Sequence, residues 1–354
     1  MSSIINRQWR IAKSPNPEDV ISADHFSWTE EAIPEPADGE FLVRTICLGT
    51  SPAQRGYMQP VDNKFLHGLA IGEVMRGRGI GQIIASRHAD YKQGEIFVGS
   101  LGWQDYSIQH PRGAQFMFST KKLEHPIRPL SAELGVLGQA GVTAYFGLLE
   151  VGAMQAGDNV LISAAAGGVG CCVGQIARIR GAGKVIGIAG SDAKCRWLCD
   201  ELGFDAAINY KAEDLQARIS KLFPDGIDVF FDNVGGDILN TALGNLAMRA
   251  RVIICGFIST NYTPGPHHGP INYTQVLRMR ARIEGFVIFD YWERFAEAEQ
   301  ALMAWFKQGQ LKSCEDIDAG LEKMPDTLSS LFTGGNMGVK LCRVAPDPDD
   351  LPEA

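Results

Sequence analysis

The sequence predicts an α/β protein of two domains: an all-β or mixed first domain, and a parallel sheet covered by helices on both faces. The chain has 354 residues, which suits about two domains. The stretch up to about residue 130 is rich in Gly and Pro and contains short β-like runs. From Asn159 onward, strand-like and helix-like segments alternate, which is typical of a parallel sheet with helical crossovers.

The individual elements can be placed in chain order. The first domain contains three β-like runs, FLVRTICLG, GIGQIIAS and EIFVGSLGWQDYSIQ, and a helical period follows in SAELGVLGQAGVTAYFGLLEVG. In the alternating part, the predicted strands are NVLISAAA, KVIGIAG, AAINY, IDVFFDNVG, RVIICGFIS and RIEGFVIFDY. The predicted helices between them are GVGCCVGQIARIRG, DAKCRWLCDELG, AEDLQARISKLF and DILNTALGNLAM. The tail adds the helix FAEAEQALMAWFKQG and the strand GVKLCRV.

Composition excludes several classes of function. The net charge is −8 and no basic run stands out, which argues against nucleic acid or an anionic membrane surface as a partner. The stretch MSSIINRQWRIAKSPNPEDV lacks the apolar core of a signal peptide, and no window reaches the roughly 18 apolar residues of a membrane span. The eight cysteines include no C-x-x-C pair, so we expect reduced thiols and a cytoplasmic location.

A glycine-rich stretch, SAAAGGVG, follows the first predicted strand of the alternating part. Its spacing is that of G-x-G-x-x-G with Ala165 in the first place, then Gly167 and Gly170. In a dinucleotide-binding turn the second glycine admits the pyrophosphate and the third lets the helix pack close to the strand. A tight turn without a ligand is the alternative interpretation. The preceding strand and the following helix favour the nucleotide, because the helix N-terminus presents N–H groups to phosphate.

The end of the next strand, VIGIAGSDAK, indicates which nucleotide binds. NAD-binding sites place an acid here to bond the ribose hydroxyls, but this chain has Ala189, followed by Gly190 and Lys194. Space and a positive charge favour a 2′-phosphate, and therefore NADP(H). Two alternatives remain: Ser191 caps a helix whose first turn carries a solvated Lys194, and Asp192 lies close enough in sequence to reach a ribose.

Several segments together resemble one family. They are IGEVMRGRGIGQIIAS, AAGGVG, GIAGSDAKCRWLCDELGFDAAINYK, FDNVGGDILN, CGFIST, RIEGFVIFDY and GGNMGVK. The chain resembles the zinc-independent medium-chain dehydrogenases/reductases, and within them the prostaglandin/leukotriene reductases and alkenal double-bond reductases. The resemblance covers nearly the whole chain. Each motif is weak alone, and the set is specific.

The resemblance implies an α/β fold in which a Rossmann doubly wound parallel sheet, residues 131–304, binds NADP(H). A partly open, β-barrel-like (GroES-like) catalytic domain is implied for residues 1–130 and 305–354. The cofactor is expected in the cleft between the two, and a homodimer is implied by the family alone.

The resemblance also implies roles for individual residues. Gly167, Gly168, Val169 and Gly170 are expected at the pyrophosphate, and Gly190, Lys194 and Tyr210 at the 2′-phosphate. Asn233 is expected to contact the cofactor after the fourth strand of the sheet. The residues expected after the fifth strand are Cys255, Gly256, Phe257, Ile258, Ser259 and Thr260. The residues expected at the nicotinamide end are Phe286, Val287, Ile288 and, from the tail, Asn336. Asn233 capping a turn, and Phe286–Ile288 as core strand, are the alternative interpretations.

The zinc ligands of related alcohol dehydrogenases are missing from this sequence. Cys47 is the only thiol near the expected place, and Gly72 stands where the zinc-binding histidine is expected. No cysteine occurs between residues 85 and 120, where a structural-zinc cluster is expected. The pair His267-His268 is more typical of a polar surface loop. We therefore expect no metal.

Without a Lewis acid, the expected chemistry is hydride addition to an already electrophilic carbon. An α,β-unsaturated ketone or aldehyde offers one at Cβ, so the resemblance implies an NADPH-dependent enone or enal reductase with a small-molecule substrate. Tyr57 and Tyr273 are the candidate catalytic tyrosines. Some relatives place the donor tyrosine eight residues before the Phe of the GF pair, where this chain has Arg278. The alternatives are an NADPH quinone reductase on the same scaffold and an NADPH-binding protein without turnover.

Overall fold

The computed structural model describes residues 5–59, 68–110, 120–262, 267–349 and 351. The chain divides into two compact units. The first contains the described residues of 1–134, 315–335 and 340–354, and the second contains those of 135–314 and 336–339. Each unit has its own sheet.

The strands of the described residues, in chain order, are β1 (Ile5–Ile11), β2 (Phe26–Ala32), β3 (Phe41–Gly49), β4 (Arg78–Ser86), β5 (Ile96–Ser100), β6 (Tyr106–Gln109), β7 (Lys121–Lys122), β8 (Asn159–Ile162), β9 (Lys184–Ala189), β10 (Ala206–Asn209), β11 (Ile227–Asp232), β12 (Leu246–Ile254), β13 (Arg282–Gly285), β14 (Glu315–Ala319) and β15 (Val339–Arg343).

The helices of the same residues are α1 (Ala53–Tyr57), α2 (Gln139–Phe146), α3 (Gly168–Ile179), α4 (Asp192–Leu202), α5 (Leu215–Leu222), α6 (Gly236–Leu243), α7 (Thr274–Met279), α8 (Phe295–Lys307) and α9 (Met324–Thr333). Short 3₁₀ segments occur at Ala23–His25, Leu130–Glu133, Ile258–Thr260, Ile288–Arg294 and Leu321–Lys323, and a π-helical turn follows α2 at Gly147–Val151. No helix within the described ranges is long and apolar enough to cross a membrane.

The first unit is β-rich, as the sequence predicts. Its main sheet has the order β14-β15-β3-β4-β5-β7, with β6 also paired to β3. β3 pairs antiparallel with β4, β6 and β15. β1 and β2 form a separate antiparallel pair that the sequence did not predict. Buried aromatic residues, among them Phe41, Phe97 and Trp103, form the core.

The second unit contains a six-stranded parallel sheet in the order β10-β9-β8-β11-β12-β13. Numbered from β8, this is the doubly wound order 3-2-1-4-5-6. The order reverses between β8 and β11, which places helices on both faces and opens a crevice at the carboxyl ends of these two strands. Its apolar core includes Leu161, Ile186, Phe230 and Val252. Together with the antiparallel sheet of the first unit, this confirms the predicted fold class.

Several elements are shorter than predicted, including α6 and β13. α6 ends at Leu243, five residues before the predicted end, because Leu246 already pairs with Ile227 as the start of β12. The segment RIEGFVIFDY is a strand only over β13, and Ile288–Arg294 is helical. All four residues of β13 are exposed, because β13 is the last strand of the sheet.

Candidate cofactor site

The glycine-rich turn lies at the carboxyl end of β8, and α3 begins at Gly168 directly after it. The residue with a left-handed backbone is Ala164, with φ 45°. Ala165, which replaces the missing first glycine, is not among the left-handed residues. The turn therefore accepts alanine at this place without backbone strain.

Of the motif glycines, Gly170 is required sterically, and the adjacent Gly168 is closely packed. A Cβ on Gly170 would overlap the carbonyl oxygen of Ala164, and one on Gly168 would come within 3.0 Å of Val339 Cγ2. Glycine thus lets the first turn of α3 pack directly on the strand end. The first N–H groups of a helix have no partner within it and carry the positive end of its dipole. This turn consequently fits the pyrophosphate of a dinucleotide.

The tail of the chain braces the same turn. The Gly338 N–H donates to the Ala166 carbonyl at 2.8 Å, and Gly338 forms a parallel bridge with Gly167. Asn336 is buried, and its side-chain amide donates to the Gly338 carbonyl at 3.0 Å. The structure therefore brings Asn336, predicted from the tail, into the unit that carries the turn.

A buried hydrogen-bond network joins the ends of β8 and β11. The Ser163 hydroxyl donates to Asp232 Oδ1 at 2.7 Å and accepts from the Asn233 N–H at 2.8 Å. The Asn233 side-chain amide donates to the Ser163 carbonyl, also at 2.8 Å. Asn233, predicted to contact the cofactor, therefore lies at the switch point with its amide fixed.

The sequence did not single out Asp232, because in the sequence it looks like the polar end of an apolar strand. It is fully buried and accepts from the N–H groups of Val234 and Gly235 as well as from Ser163. Burial raises the pKa of its carboxyl, while these hydrogen bonds oppose the rise. Asp232 therefore organises the loop after β11 and is shielded from solvent.

The loop after β12 is tied to the loop after β11. The N–H groups of Cys255 and Gly256 donate to the Asp232 carbonyl at 2.8 and 3.1 Å. The Ser259 hydroxyl donates to the Val234 carbonyl at 2.6 Å. Burial raises the pKa of the Cys255 thiol to about 12. The predicted run Cys255–Thr260 therefore borders the switch point, with its thiol protonated at neutral pH.

Tyr262 is a second residue that sequence reasoning missed. Its ring lies 4.5 Å from that of Phe257, and its hydroxyl borders Gly256, 3.4 Å from where a Cβ on that glycine would be. Burial, helped by the nearby Cys255, raises the pKa of its phenol to about 12. The structure thus places a protonated hydroxyl beside the cofactor-loop residues. A lone tyrosine in a Gly/Pro-rich loop gave no signal for this.

The residues predicted for the 2′-phosphate lie at the ends of β9 and β10. A Cβ on Gly190 would lie 3.3 Å from Tyr210 Cε1, so the ring of Tyr210 packs closely against the glycine. Ser191 caps α4 by accepting from the Lys194 N–H at 3.3 Å. Ser191 is therefore the N-cap of α4, as the alternative interpretation expected. This hydrogen bond fixes the backbone of Lys194.

The nicotinamide-end residues Phe286, Val287 and Ile288 follow β13 and differ in burial. Ile288 is buried and Val287 is 40% exposed. Phe286 lies against Gly147, where a Cβ would come within 2.7 Å of its ring. Of the three, Val287 has the most exposed side chain.

The two predicted catalytic tyrosines have different surroundings. Tyr273 is 65% exposed at the start of α7, and its neighbour Asn272 is bonded to Asn240 in α6. Tyr57, in the first unit, is buried, and the Arg76 guanidinium lies 5.1 Å from the centre of its ring.

The residues considered for a metal do not form a donor group. Gly72, with φ 89°, occupies a turn that suits glycine, and His267 and His268 are exposed. Burial raises the pKa of the Cys47 thiol to about 12. Across the part of the chain that the structure describes, no group of three or more His, Cys, Asp or Glu side chains is arranged to hold a metal ion.

Two family models match the chain, one described as the N-terminal domain of oxidoreductase over residues 7–117 and one as zinc-binding dehydrogenase over residues 168–305. With the doubly wound sheet and its glycine-rich turn, they define an oxidoreductase of the medium-chain dehydrogenase/reductase class. The chain belongs to this family, in the branch of prostaglandin reductases and alkenal double-bond reductases that the sequence resembles.

Individual relatives cover nearly the whole chain. The NADPH-dependent curcumin reductase of Escherichia coli is 37% identical over 97% of this chain and 98% of its own length. The NADP(+)-dependent 2-alkenal reductase of Nicotiana tabacum is 35% identical over 88% of this chain and 89% of its own. The crystal structure of CurA in complex with NADPH from Vibrio vulnificus is 36% identical, covers 96% of this chain and 100% of its own, and superposes with a TM-score of 0.87.

Proposed function

We propose that the protein is an NADPH-dependent reductase that adds hydride to the β-carbon of α,β-unsaturated ketones and aldehydes. Its cofactor is NADP(H), which the two relatives are named for and the Vibrio structure contains. One observation carries the proposal: the glycine-rich turn at the switch point belongs to a chain similar over most of its length to a 2-alkenal reductase. A 2-alkenal has its C=C bond conjugated to its C=O bond.

The proposal assigns a part of the cofactor to each group of residues. The turn residues Gly167–Gly170 hold the pyrophosphate, and Gly190, Lys194 and Tyr210 surround the 2′-phosphate. The residues assigned to the nicotinamide half are Asn233, Cys255–Thr260, Phe286–Ile288 and Asn336. These assignments are supported by the hydrogen bonds of Ser163, Asp232 and Ser259, which hold together the loops after β8, β11 and β12.

When bound, NADPH supplies a hydride. The chain must then stabilise the charge that develops on the substrate oxygen and supply a proton to Cα. Tyr262 is suited to donate a hydrogen bond to that oxygen, because its phenol is protonated and its hydroxyl borders the cofactor loop. Tyr57, from the other unit, remains proposed for the substrate pocket. We assign Tyr273 no direct role, because it is exposed on α7.

The test of the reaction is product analysis with NADPH deuterated at C4. A simple enone should become a saturated ketone with deuterium at Cβ. Deuterium on a carbinol carbon would mean carbonyl reduction and would overturn the proposal. A panel that adds quinones and saturated aldehydes distinguishes the quinone reductase, and a lack of NADPH oxidation by every substrate would indicate a binding protein without turnover.

We also propose that the protein is a homodimer formed through the outer edge of β13. Among the described residues this strand ends the sheet, and an edge strand presents backbone groups that are available for pairing. Exposed apolar residues flank it, including Leu277 at 83% and Tyr273 at 65% exposure. If a two-fold axis passes through Ile283, antiparallel pairing sets Arg282 opposite Glu284 of the partner subunit, so the edge is complementary in charge to itself.

The dimer is tested by sedimentation of the wild type and of Leu277→Glu. The wild type should sediment as a dimer at micromolar concentration, and the variant should dissociate because it places a charge in the apolar part of the interface. Val20→Glu is the control, since Val20 is 64% exposed in the first unit. A monomeric wild type, or a Leu277→Glu variant that stays dimeric, would contradict this interface.

A further inference from the structure

Lys211 lies beside the position predicted for the 2′-phosphate, although the sequence did not single it out. It directly follows Tyr210 after β10, and its Cε lies 3.3 Å from where a Cβ on Gly190 would be. Its ammonium is 5.9 Å from the centre of the Tyr210 ring. A second lysine, in addition to Lys194 in the first turn of α4, therefore has its side chain beside Gly190.

The backbone of Lys211 is held by a buried side chain. Asn209 is 7% exposed, and its Oδ1 accepts from the Lys211 N–H at 3.2 Å. Its own N–H donates to Glu213 Oε1 at 2.8 Å. Asn209 thus fixes the direction in which the chain leaves β10, and with it the residues Tyr210 and Lys211.

The same side chain also engages the acid that competes with a phosphate. Asn209 Nδ2 donates to Asp192 Oδ1 at 2.6 Å. Asp192 is the residue that the sequence left as a possible ribose ligand. Glu213, the other nearby acid, is paired with Arg218 at 2.6 Å. The carboxylates of Asp192 and Glu213 are therefore both engaged by neighbouring side chains.

We propose that Lys211 is a second cation for the 2′-phosphate of NADP(H), and that Asn209 is the positioning residue that orients Lys211 and restrains Asp192. This rests on the proposed function, because it takes NADP(H) as the cofactor. Together the two residues make preference for NADP(H) over NAD(H) depend on the end of β10 as well as on Lys194.

The first experiment is a fluorescence titration of NADPH and NADH with the wild type, Lys211→Ala, Lys211→Arg and Lys221→Ala. The loss of a charged contact to phosphate should weaken NADPH about tenfold in Lys211→Ala and leave NADH within about twofold. Lys211→Arg should retain most of the NADPH affinity. Lys221 is exposed on α5, so its variant is the control for loss of one positive charge.

The second experiment tests whether Asn209 acts through Lys211. Asn209→Ala alone should weaken NADPH several-fold, and should add less than about twofold in the Lys211→Ala background, because residues acting through one another are not additive. Equal effects in both backgrounds would show a merely structural role for Asn209. If Asn209→Ala does not fold, the exposed Lys211 variants still decide the assignment of Lys211.

The outcomes separate this inference from the proposed function. A wild type that binds NADPH in preference to NADH, with Lys211→Ala unchanged or equally impaired for both, overturns the role of Lys211 alone. A wild type with no preference between the two cofactors overturns the assignment of NADP(H) itself.

Discussion

The side-chain amide of Asn233 donates to the backbone carbonyl of Ser163 at 2.8 Å, which joins the carboxyl ends of β11 and β8. Asp232 binds the Ser163 hydroxyl from the same side. The crevice at which the strand order reverses is therefore fixed by bonds between residues about 70 positions apart. The turn that would bind a dinucleotide there is already formed, so the loops lose little conformational entropy on binding.

The glycine-rich turn should not tolerate a side chain at its third glycine. Gly170→Ala should weaken NADPH binding by more than about tenfold and lower the melting temperature, because the new Cβ overlaps the Ala164 carbonyl. Calorimetry and fluorescence titration measure the two effects. Gly269→Ala is the control, since no atom of the described residues lies within 4 Å of a Cβ there. Unchanged binding in Gly170→Ala would argue against this turn as the pyrophosphate site.

Lys194 should contribute to the choice of cofactor. Lys194→Ala should weaken NADPH by about 1.5–3 kcal/mol, which is roughly tenfold or more, and leave NADH nearly unchanged. The dissociation constants of both cofactors check this directly. An equal loss for both would mean that Lys194 supports the fold of α4, as the Ser191 cap alone would suggest.

The tyrosines should differ in their effect on rate. Tyr262→Phe should lower kcat on the order of 10²-fold with KM little changed, as expected for loss of a hydrogen bond to the developing enolate oxygen. Tyr273→Phe should stay within a few-fold, because Tyr273 is exposed on α7. Steady-state kinetics with one enone measure kcat and KM for these two variants and for Tyr57→Phe. If no variant loses rate, the proton does not come from a tyrosine, and a cofactor ribose hydroxyl is the remaining donor.

Activity should survive removal of metal ions. Gly72 occupies the place of a zinc-binding histidine, and the described residues contain no cluster of metal-binding side chains. Prolonged dialysis against a chelator should leave kcat/KM within about twofold, and elemental analysis should find no stoichiometric zinc. One zinc per chain together with loss of activity on its removal would contradict this.

A salt-bridge cluster in the first unit should make stability depend on pH. Asp318 accepts from Lys340 at 2.8 Å and from Thr327 at 2.7 Å. Burial alone would raise its pKa, but these bonds lower it below the ordinary 3.8. A depressed carboxyl pKa contributes stability above pH 3.8, and the contribution disappears as the pH falls through the folded-state pKa.

Asp318→Asn should therefore be less stable than the wild type at pH 7, by about 1 kcal/mol because the carboxylate is partly exposed. The difference should shrink as the pH falls towards 3. Denaturant unfolding at several pH values measures it. A constant difference across this range would mean that the carboxylate charge is not the cause.

The sequence placed correctly in the fold those candidate-site residues whose positions depend on local order. The turn at Gly167–Gly170 follows β8, and Gly190 and the first turn of α4, which carries Lys194, follow β9. The alternation of elements was therefore enough to place them. The fold class followed from the same alternation. β1 and β2 were missed because polar residues interrupt INRQWRI and FSWTEEA, and their hydrophobic signal comes from single aromatic residues.

The parts that the sequence did not predict depend on contacts between distant positions. The role of Asp232 requires Ser163, 69 residues earlier. Burial and the nearby Cys255 raise the pKa of Tyr262, and its ring packs against Phe257. The hydrophobic periodicity of the sequence does not indicate these contacts. In the sequence, Lys211 looks like an ordinary solvated lysine, and only the structure shows that its side chain lies close to Gly190. Tyr273, an aromatic residue near a motif, is exposed in the structure, and its catalytic role stays a prediction.

The bond from Gly338 to Ala166 has a consequence for how the protein is made. The brace on the nucleotide turn comes from residues 336–339, which are synthesised after the helix α9 of the other unit. During translation, the turn is synthesised long before Gly338, so the hydrogen bond that braces it forms only after residues 336–339 have been made. A fragment that stops at residue 314 lacks the brace altogether, so dividing the gene at the apparent domain border would not yield an intact cofactor-binding module.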